Sequence, residues 1–305
     1  MDKILIHIGY PKTGTTWFQN KLYPHVNNIT FFNRKVVKED FILSNALCFD
    51  AETLKQKYSN QQSTILLSHE LLVGGMIHMG GINGFLTKEF CDRLHSVFPD
   101  GNIILFIRNQ IDIIVSAYNQ YIRGGGNYSI NKYLYQNSFD SLNKFFFFNF
   151  SFLEYDKIIT LYKNKFGAQN VHVFLFEDFQ KDPAKFITNF ANKFNLEIDL
   201  ENIDYNPVNT QFRKYLKPIF KFSNLFYRRA VIHKRYFFKF DNMHAKMKAR
   251  YNHWNQFKIF GRFETPEEVL GKKNIKYIND YYKESNNKLV DIHNLDTIKQ
   301  YNYPL

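Results

Sequence analysis

Short apolar runs alternate with longer stretches of helical apolar spacing through the first two thirds of the chain. Four runs have the length and composition of strands buried on both faces: Lys3–Gly9, Ile65–Ser68, Asn102–Ile107 and Val171–Phe176. Apolar spacing predicts helices over Gly14–Tyr23, Thr87–Val97, Ile111–Ile122, Phe152–Phe166 and Pro183–Phe194. This order predicts an α/β fold with a three-layer parallel sheet, covered by helices on both sides.

Local signals set the ends of several predicted helices. Thr87 has the side chain of an N-cap, and Pro99 follows the expected helix end. Gly167 suits the C-cap of the helix before it, and Pro183 suits the first turn of the next one.

The pattern changes after residue 200, where strand signals stop. Residues 211–260 are aromatic and basic without clear alternation, and Pro266–Leu289 is again helical in spacing. There is no internal repeat and no Gly/Ser linker. The chain is therefore predicted to form a single domain over residues 1–305, with a basic aromatic segment at about 211–260.

Positive charge is concentrated in one region of the chain, whose formal net charge is +12. Residues 211–276 hold 17 Lys and Arg against 4 Asp and Glu, whereas the rest holds 23 against 24. Such a region favours an anionic partner, which could be a phosphorylated cofactor, an acidic glycan, nucleic acid or a membrane surface.

The two cysteines, Cys48 and Cys91, lack the spacing of a zinc site or a redox pair. No signal-peptide pattern precedes the first strand, and no apolar run is long enough to span a membrane. These features predict a soluble cytoplasmic protein without a metal.

Two glycines separated by four residues, Gly9 and Gly14, stand between the first predicted strand and helix. This is the spacing of a phosphate-binding loop, in which backbone N–H groups and a helix N-terminus hold anionic oxygens. Thr15 stands where the usual lysine would be, and Lys12 lies three positions earlier. The shift disfavours an ordinary ATPase or kinase, as does the lack of an acidic strand end suited to magnesium.

A second candidate phosphate site consists of Arg108, at the end of the third predicted strand, and Ser116, eight residues later. Eight residues are just over two helical turns, so both side chains can line one crevice. A guanidinium and a hydroxyl are suitable donors to a phosphate dianion.

The string Tyr10-Pro11-Lys12-Thr13-Gly14-Thr15-Thr16-Trp17 resembles the 5′-phosphosulfate loop of sulfotransferases that use 3′-phosphoadenosine-5′-phosphosulfate (PAPS), especially the cytosolic type. The Arg108 and Ser116 spacing resembles the 3′-phosphate site of the same family. The resemblance implies a P-loop-like sulfotransferase architecture, PAPS as the donor and Trp17 stacked on adenine. The implied donor-binding residues are Lys12, Thr13, Gly14, Thr15, Thr16, Trp17, Arg108 and Ser116. Lys12 would also assist the leaving phosphate.

Transfer of a sulfuryl group to a hydroxyl needs a base for the hydroxyl proton. The second predicted strand ends in Ser68, His69 and Glu70, near the loop of the first strand in a parallel sheet. Cytosolic members of the family use a histidine near this point, and glycosaminoglycan-type members more often a glutamate. If the strand persists, His69 and Glu70 face opposite ways. Glu70 is the preferred base and His69 the alternative.

The resemblance also implies a bacterial, carbohydrate-type enzyme, with a glycan or glycolipid as acceptor. Within the basic aromatic segment, cations and aromatic rings alternate irregularly. Three interpretations stay open: a site for an acidic acceptor glycan, peripheral contact with an anionic membrane at its inner face, or a solvated basic face over an aromatic core. Nucleic-acid binding is disfavoured because no recognised module is present.

Two other functions compete with sulfuryl transfer. One is a nucleotide-dependent phosphotransferase that uses the same loop, which would need magnesium and prefer ATP. The other is a non-catalytic protein that binds an anionic polymer through the basic segment, in which case Lys12 and Arg108 would be dispensable.

Overall fold

A five-stranded parallel sheet organises the computed structural model, which describes residues 3–76, 83–135, 148–200, 203–206, 211–226 and 243–305, the side chains of 243–245 and 248 excepted. Its strands are β1 (Ile4–His7), β2 (Ile29–Phe32), β3 (Thr64–Ser68), β4 (Asn102–Ile107) and β5 (Val171–Leu175). Their order is β2-β3-β1-β4-β5, and all neighbours are parallel. The predicted three-layer α/β fold with a parallel sheet is confirmed.

Each of the four predicted strands is present, and β2 is a fifth that the sequence pattern did not predict. β2 is an edge strand whose four residues are all partly exposed, and it pairs with β3 from Ile29 opposite Thr64 to Phe32 opposite Leu67. The central strand β1 lies between β3 and β4, so the loop that follows β1 emerges at the middle of the sheet.

The α-helices surround this sheet. In chain order they are α1 (Thr15–Trp17), α2 (Arg34–Val37), α3 (Ala51–Ser59), α4 (Thr87–Val97), α5 (Gln110–Arg123), α6 (Ile130–Tyr135), α7 (Tyr155–Phe166), α8 (Phe176–Lys181), α9 (Pro183–Phe194), α10 (Leu216–Ser223), α11 (Met243–Trp254), α12 (Pro266–Leu270) and α13 (Lys272–Asp291). α1 continues as a π-helical turn, Phe18–Leu22, and then a 3-10 turn, Tyr23–His25. The predicted helix over Gly14–Tyr23 is thus present as three consecutive segments of different helix type: α, π and 3-10.

Side chains alternate between the two faces of the sheet and create two buried layers. Ile6, Leu67 and Leu105 join a cluster with residues of α4, α5, α7 and α13. Leu5 and Phe106 join a second, strongly aromatic cluster that includes residues of α1 and α9. Helices therefore cover both faces, and the same first cluster takes in side chains from the C-terminal third. The division into one domain stays a prediction.

Two predicted helix signals differ from the structure. Thr87 is the first residue of α4 rather than its N-cap, and its hydroxyl donates to the carbonyls of Val73 and Gly84. The predicted helix over Pro266–Leu289 is two helices, because Gly271 has φ 78° and ψ 154°, a backbone conformation outside the helical region. Gly167 and Pro183 have the predicted positions at helix ends.

Hydrogen bonds join the C-terminal residues to the segment that directly follows β4. Asn109 Nδ2 donates to the carbonyl oxygens of Tyr301 and Asn302, at 3.0 and 2.7 Å. Buried Asn286 on α13 donates to the carbonyl of Pro304 and exchanges hydrogen bonds with Gln110. Within the described ranges, no helix combines the length and apolar character needed to cross a bilayer.

Candidate active site at the carboxyl end of the sheet

The loop between β1 and α1 turns sharply at two residues with positive φ, Lys12 at 72° and Gly14 at 84°. Thr13 lies fully buried between them, and its hydroxyl donates to the carbonyl of Tyr10 at 2.6 Å. The N–H groups of Gly14, Thr15 and Thr16 donate no hydrogen bond within the described part of the chain. Free donors at the start of a helix are suited to an anion.

Both glycines of this loop are sterically required. A Cβ atom on Gly14 would lie 2.9 Å from the ring of Phe176, and one on Gly9 would lie 2.6 Å from His7 Nε2. The Thr15 hydroxyl oxygen is buried without a hydrogen-bond partner among the described residues. The loop is therefore closely packed against His7 and Phe176, while the buried Thr15 hydroxyl has no hydrogen-bond partner among the described residues.

His7 supports the loop from below. It is fully buried, and its Nδ1 lies 2.8 Å from the Tyr23 hydroxyl and 3.3 Å from that of Ser68. Gln19 Nε2 donates to the carbonyl and hydroxyl oxygens of Ser68. Burial lowers the pKa of His7 to about 3, so the ring is neutral and part of the packing at neutral pH.

Three cations lie close to one another at the loop: Lys12, Arg108 and Arg123. Lys12 Nζ donates to Gln120 Oε1 at 2.6 Å. The pKa of Lys12 is lowered to about 8, first by burial and then by repulsion from Arg123 and Arg108, while Glu70 raises it. Lys12, whose charge is disfavoured by burial and by two neighbouring guanidinium groups, is electrostatically prepared to receive an anion.

Arg108 directly follows β4 and lies against the loop. Its Nη1 donates to the carbonyl of Lys12 at 3.1 Å, and its guanidinium lies over the ring of Phe176, 5.0 Å from the centroid. Its Nε is buried without a partner in the described ranges. Ser116 lies on α5 one turn before Gln120, so the two share a face of that helix. The structure thus places Arg108 beside Lys12, and Ser116 on the helical face that approaches Lys12.

Glu70 stands next to this group of cations. β3 ends at Ser68, and Glu70 begins a 3-10 turn over Glu70–Val73. Its Oε1 pairs with Arg34, which is half-exposed, while its Oε2 is buried without a hydrogen-bond partner among the residues described. Glu70 therefore has one carboxylate oxygen anchored by Arg34 and one without a hydrogen bond, 3.6 Å from His69 Nδ1, and its charge raises the pKa of Lys12.

His69 has a different environment. Its Nδ1 accepts a hydrogen bond from the Leu71 N–H at 3.0 Å, so it acts as the N-cap of the turn. Burial lowers the pKa of His69 to about 3, with a further lowering by Arg34 and Lys38. A neutral imidazole that accepts at Nδ1 carries its proton on Nε2. Neither ring nitrogen then has a lone pair available for a substrate proton.

Trp17 is 4% exposed and is surrounded by other side chains. Its Nε1 donates to the carbonyl of Asp204 at 3.1 Å, and its ring lies 4.8 Å from that of Phe179 and 6.1 Å from that of Tyr205, centroid to centroid. The predicted stacking of Trp17 on adenine stays a prediction.

The sequence reasoning missed Arg34, Gln120 and Arg123. Gln120 could have been found by following the face of Ser116 one further turn along the predicted helix. Arg123 is the last residue of α5, beyond the predicted end. Arg34 follows the unpredicted strand β2, so nothing in the sequence pattern linked it to Glu70.

No family model matches the chain. The fold is similar to that of a sulfotransferase from Alicyclobacillus acidocaldarius, with a TM-score of 0.50 and 16% identity, covering 74% of this chain and 93% of that one. The mouse sulfotransferase SULT7A1, solved in complex with PAP, has a TM-score of 0.48 and 12% identity, covering 98% of this chain and 88% of that one. The likeness to the Alicyclobacillus acidocaldarius structure shows a sulfotransferase-like fold, as predicted.

One curated protein shares sequence with part of the chain. The chromatin structure-remodeling complex subunit rsc58 of Schizosaccharomyces pombe is 35% identical over 101 residues, which is 33% of this chain and 24% of that protein. A match over about a quarter of that relative's length does not establish a shared family.

Proposed function

We propose that this protein is a sulfotransferase that transfers a sulfuryl group from PAPS to a hydroxyl. The observation that carries the proposal is the group of cations around the β1–α1 loop. Arg108 and Arg123 lie close enough to Lys12 to lower its pKa. Free N–H groups and the unused Thr15 hydroxyl add neutral donors at the same place. An elongated anion with two separate phosphate groups fits this set of donors.

The loop would hold the 5′ end of the donor. Gly14, Thr15 and Thr16 would donate their N–H groups to the 5′-phosphate, and the Thr15 hydroxyl would join them. Thr13 would contribute its backbone, because its hydroxyl already bonds to Tyr10. Arg108 and Ser116 would hold the 3′-phosphate from the next strand and helix. PAPS supplies the activated sulfuryl group on a phosphate leaving group.

Lys12 and Glu70 would act at the reacting end. Lys12 would leave Gln120 and donate to the phosphate oxygen on which negative charge grows as the bond to sulfur breaks. Glu70 would take the proton of the acceptor hydroxyl as that oxygen bonds to sulfur. The orphan Oε2 of Glu70 supports this role, whereas the hydrogen bond to His69 Nδ1 disfavours the alternative base.

The proposed acceptor is a carbohydrate hydroxyl, on a glycan or a glycolipid, and the sequence resemblance is its support. Location in the cytoplasm is likewise proposed. Neither Cys48 nor Cys91 forms a disulfide, which suits a reducing compartment.

The donor assignment is tested by titration calorimetry with PAP, AMP and ATP. Wild-type protein is expected to bind PAP more tightly than AMP, and to bind ATP weakly with or without magnesium. Lys12→Ala should weaken both PAP and AMP binding by about tenfold or more, because a charge-assisted hydrogen bond is lost. Arg108→Ala should weaken PAP clearly more than AMP, since AMP has no 3′-phosphate and loses only the support that Arg108 gives to the loop through the Lys12 carbonyl.

Lys299→Ala is the matched control, since Lys299 is a surface lysine that pairs with Asp296 one turn earlier in the same helix. Tighter binding of magnesium-ATP than of PAP would instead favour a phosphotransferase. Unchanged PAP affinity in both site variants would contradict the donor site altogether.

A further inference from the structure

Helix α10 presents an apolar stripe to solvent. Tyr215, Ile219 and Phe222 occur at i, i+4 and i+7, which is one face of a helix, and all three are exposed, Phe222 by 62%. The opposite face is buried through Leu216 and Phe220. The helix is therefore apolar on its outer face as well as its inner one, which is unusual for a surface helix of a globular protein.

The neighbouring segment extends this apolar surface. The Lys214 N–H donates to the Arg262 carbonyl at 2.9 Å, and the Tyr215 N–H donates to the Phe260 carbonyl at 3.1 Å. These bonds place residues 257–263 beside the start of α10. Here too large apolar side chains are exposed, most of all Ile259 at 84%. We call the combined set the apolar ridge: Tyr215, Ile219, Phe222, Phe257, Ile259 and Phe263.

Buried contacts fix the backbone under the apolar ridge. Arg213 Nε and Nη1 donate to the carbonyls of Asn255 and Gly261, at 2.8 and 2.7 Å. Phe220 packs edge-on against Tyr251 with 4.1 Å between centroids. Asn224 Nδ2 donates to the carbonyls of Ile122 and Gly126, which joins the end of α10 to the end of α5. The exposed side chains are thus held outward by a structured base and do not belong to a loose coil.

Cations border the apolar ridge. Glu264 and Glu268 are both engaged, by Lys217 and by Lys214 with Arg262. Lys221 directly precedes Phe222, and Lys258 lies between Phe257 and Ile259. Lys258 is exposed and Lys221 half-buried, and neither forms an ion pair within the described part of the chain. The surface therefore combines outward apolar groups with unneutralised positive charge, in the region that holds 17 Lys and Arg against 4 Asp and Glu.

We propose that the apolar ridge and its cations dock this protein on the surface of an anionic lipid bilayer. Apolar side chains can enter the boundary between headgroups and acyl chains, while lysines remain at the level of the phosphates. Tyrosine is favoured at this depth because its ring is apolar and its hydroxyl can form hydrogen bonds with water and headgroups. Two copies of this surface facing each other would bring like charges together, whereas an anionic bilayer complements both the charge and the apolar side chains.

This proposal does not depend on sulfuryl transfer. It concerns a surface whose residues lie outside the donor site, although Asn224 links α10 to the helix that carries Ser116 and Gln120. It would bring the protein to the place where a lipid-linked acceptor is presented, but the docking can be measured without any acceptor.

The test is flotation with vesicles, comparing phosphatidylcholine alone with a mixture of phosphatidylglycerol and phosphatidylcholine. Wild-type protein should float with the mixed vesicles at low salt, and its bound fraction should fall as salt is raised. The double variant Ile219→Ser/Phe222→Ser should partition at least tenfold less, roughly the effect of withholding one or two large apolar side chains from the interface. Lys221→Gln/Lys258→Gln should lower binding by about fivefold per lysine.

Leu47→Ser/Ile292→Ser is the matched control, because Leu47 and Ile292 are exposed apolar residues outside the apolar ridge, by 96% and 61%. It should float like wild type. A far-ultraviolet circular dichroism spectrum and a urea unfolding midpoint like those of wild type would show that each variant is folded. Absence of wild-type flotation at low salt would overturn the proposal, as would equal flotation with both lipid mixtures. A dimer in light scattering that the Ile219→Ser/Phe222→Ser variant abolishes would identify a self-association surface instead, and retention on heparin without flotation would identify an anionic polymer.

Discussion

Glu70 and His69 are adjacent in sequence, yet their side chains differ in which atoms already have a hydrogen-bond partner. The Glu70 carboxylate has one oxygen paired with Arg34 and one buried oxygen without a hydrogen bond to the described residues, 3.6 Å from His69 Nδ1. The His69 ring is committed at Nδ1 to the Leu71 N–H. Both are competent bases by residue type alone, so the sequence left both open. The difference arises from the end of β3 at Ser68, which turns the following residues into a short helical turn.

Glu70→Gln is expected to reduce sulfuryl transfer from PAPS by about a hundredfold or more, because the amide cannot take the acceptor proton. PAP affinity should stay close to that of wild type. His69→Asn should keep turnover within about tenfold, since asparagine can still cap the turn through its side-chain oxygen. Radiolabelled sulfate transfer to a panel of glycan acceptors would measure both. Activity in Glu70→Gln together with loss in His69→Asn would reverse the assignment.

The donor loop is the part of the site that sequence reasoning could predict most fully. Its candidate ligands are contiguous, and two glycines between a strand and a helix form a local pattern. Arg34, Gln120 and Arg123 come from other segments, and only the folded chain brings them to the loop. A single sequence does not show which distant residues meet in the folded chain.

At the scale of elements, the buried strands and amphipathic helices were predictable, and the edge strand was not. β4 matches its predicted limits, because six consecutive buried or nearly buried residues leave a clear signal. β2 has four residues, each partly exposed, between Asn28 and Asn33. Short apolar runs of this kind are ambiguous between strand and loop, and pairing with β3 decides the outcome.

Gly14→Ala is expected to disrupt the turn from β1 into α1 as a unit. A positive φ of 84° disfavours any side chain, and the new Cβ would press on the Phe176 ring at 2.9 Å. The free energy of unfolding should fall by about 2 kcal/mol, and PAP binding should be lost or severely weakened. Denaturant unfolding and calorimetry with PAP would measure the two effects.

Gly271→Ala serves as the comparison, because Gly271 also has a positive φ, of 78°, but an added Cβ would meet no atom within 4 Å. It should lower stability through backbone strain and leave PAP affinity intact. Equal loss of PAP affinity in the two variants would mean that general destabilisation, not loop geometry, explains the result.

The whole molecule is held together by hydrogen bonds that join distant parts of the chain near the donor site. Asn109 follows Arg108 and donates to carbonyls near the C-terminal end. Asn286 links α13 to Gln110 and to the carbonyl of Pro304 in a fully buried environment. The predicted layers did not reveal these links, since amide side chains carry no periodic signal.

Asn286→Ala is expected to lower the free energy of unfolding by about 2–4 kcal/mol, because both Gln110 and the Pro304 carbonyl lose a buried partner. Asn287→Ala, on the same helix at a partly exposed position, should have little effect. Urea unfolding followed by far-ultraviolet circular dichroism would give both values. An equally small change in the two variants would show that the buried network contributes little to stability.

The strand order has a consequence for how the chain assembles during synthesis. β1 leaves the ribosome first, yet its partners are β3, with Ile4 opposite Ile65, and β4, with Leu5 opposite Asn102. No hairpin can form between parallel neighbours, so each pairing must wait for a long crossover to be made. The central strand, and the loop that follows it, therefore leave the ribosome before their neighbours in the sheet are made. Because its apolar side chains are exposed during that time, we expect this segment to bind a chaperone at the exit tunnel.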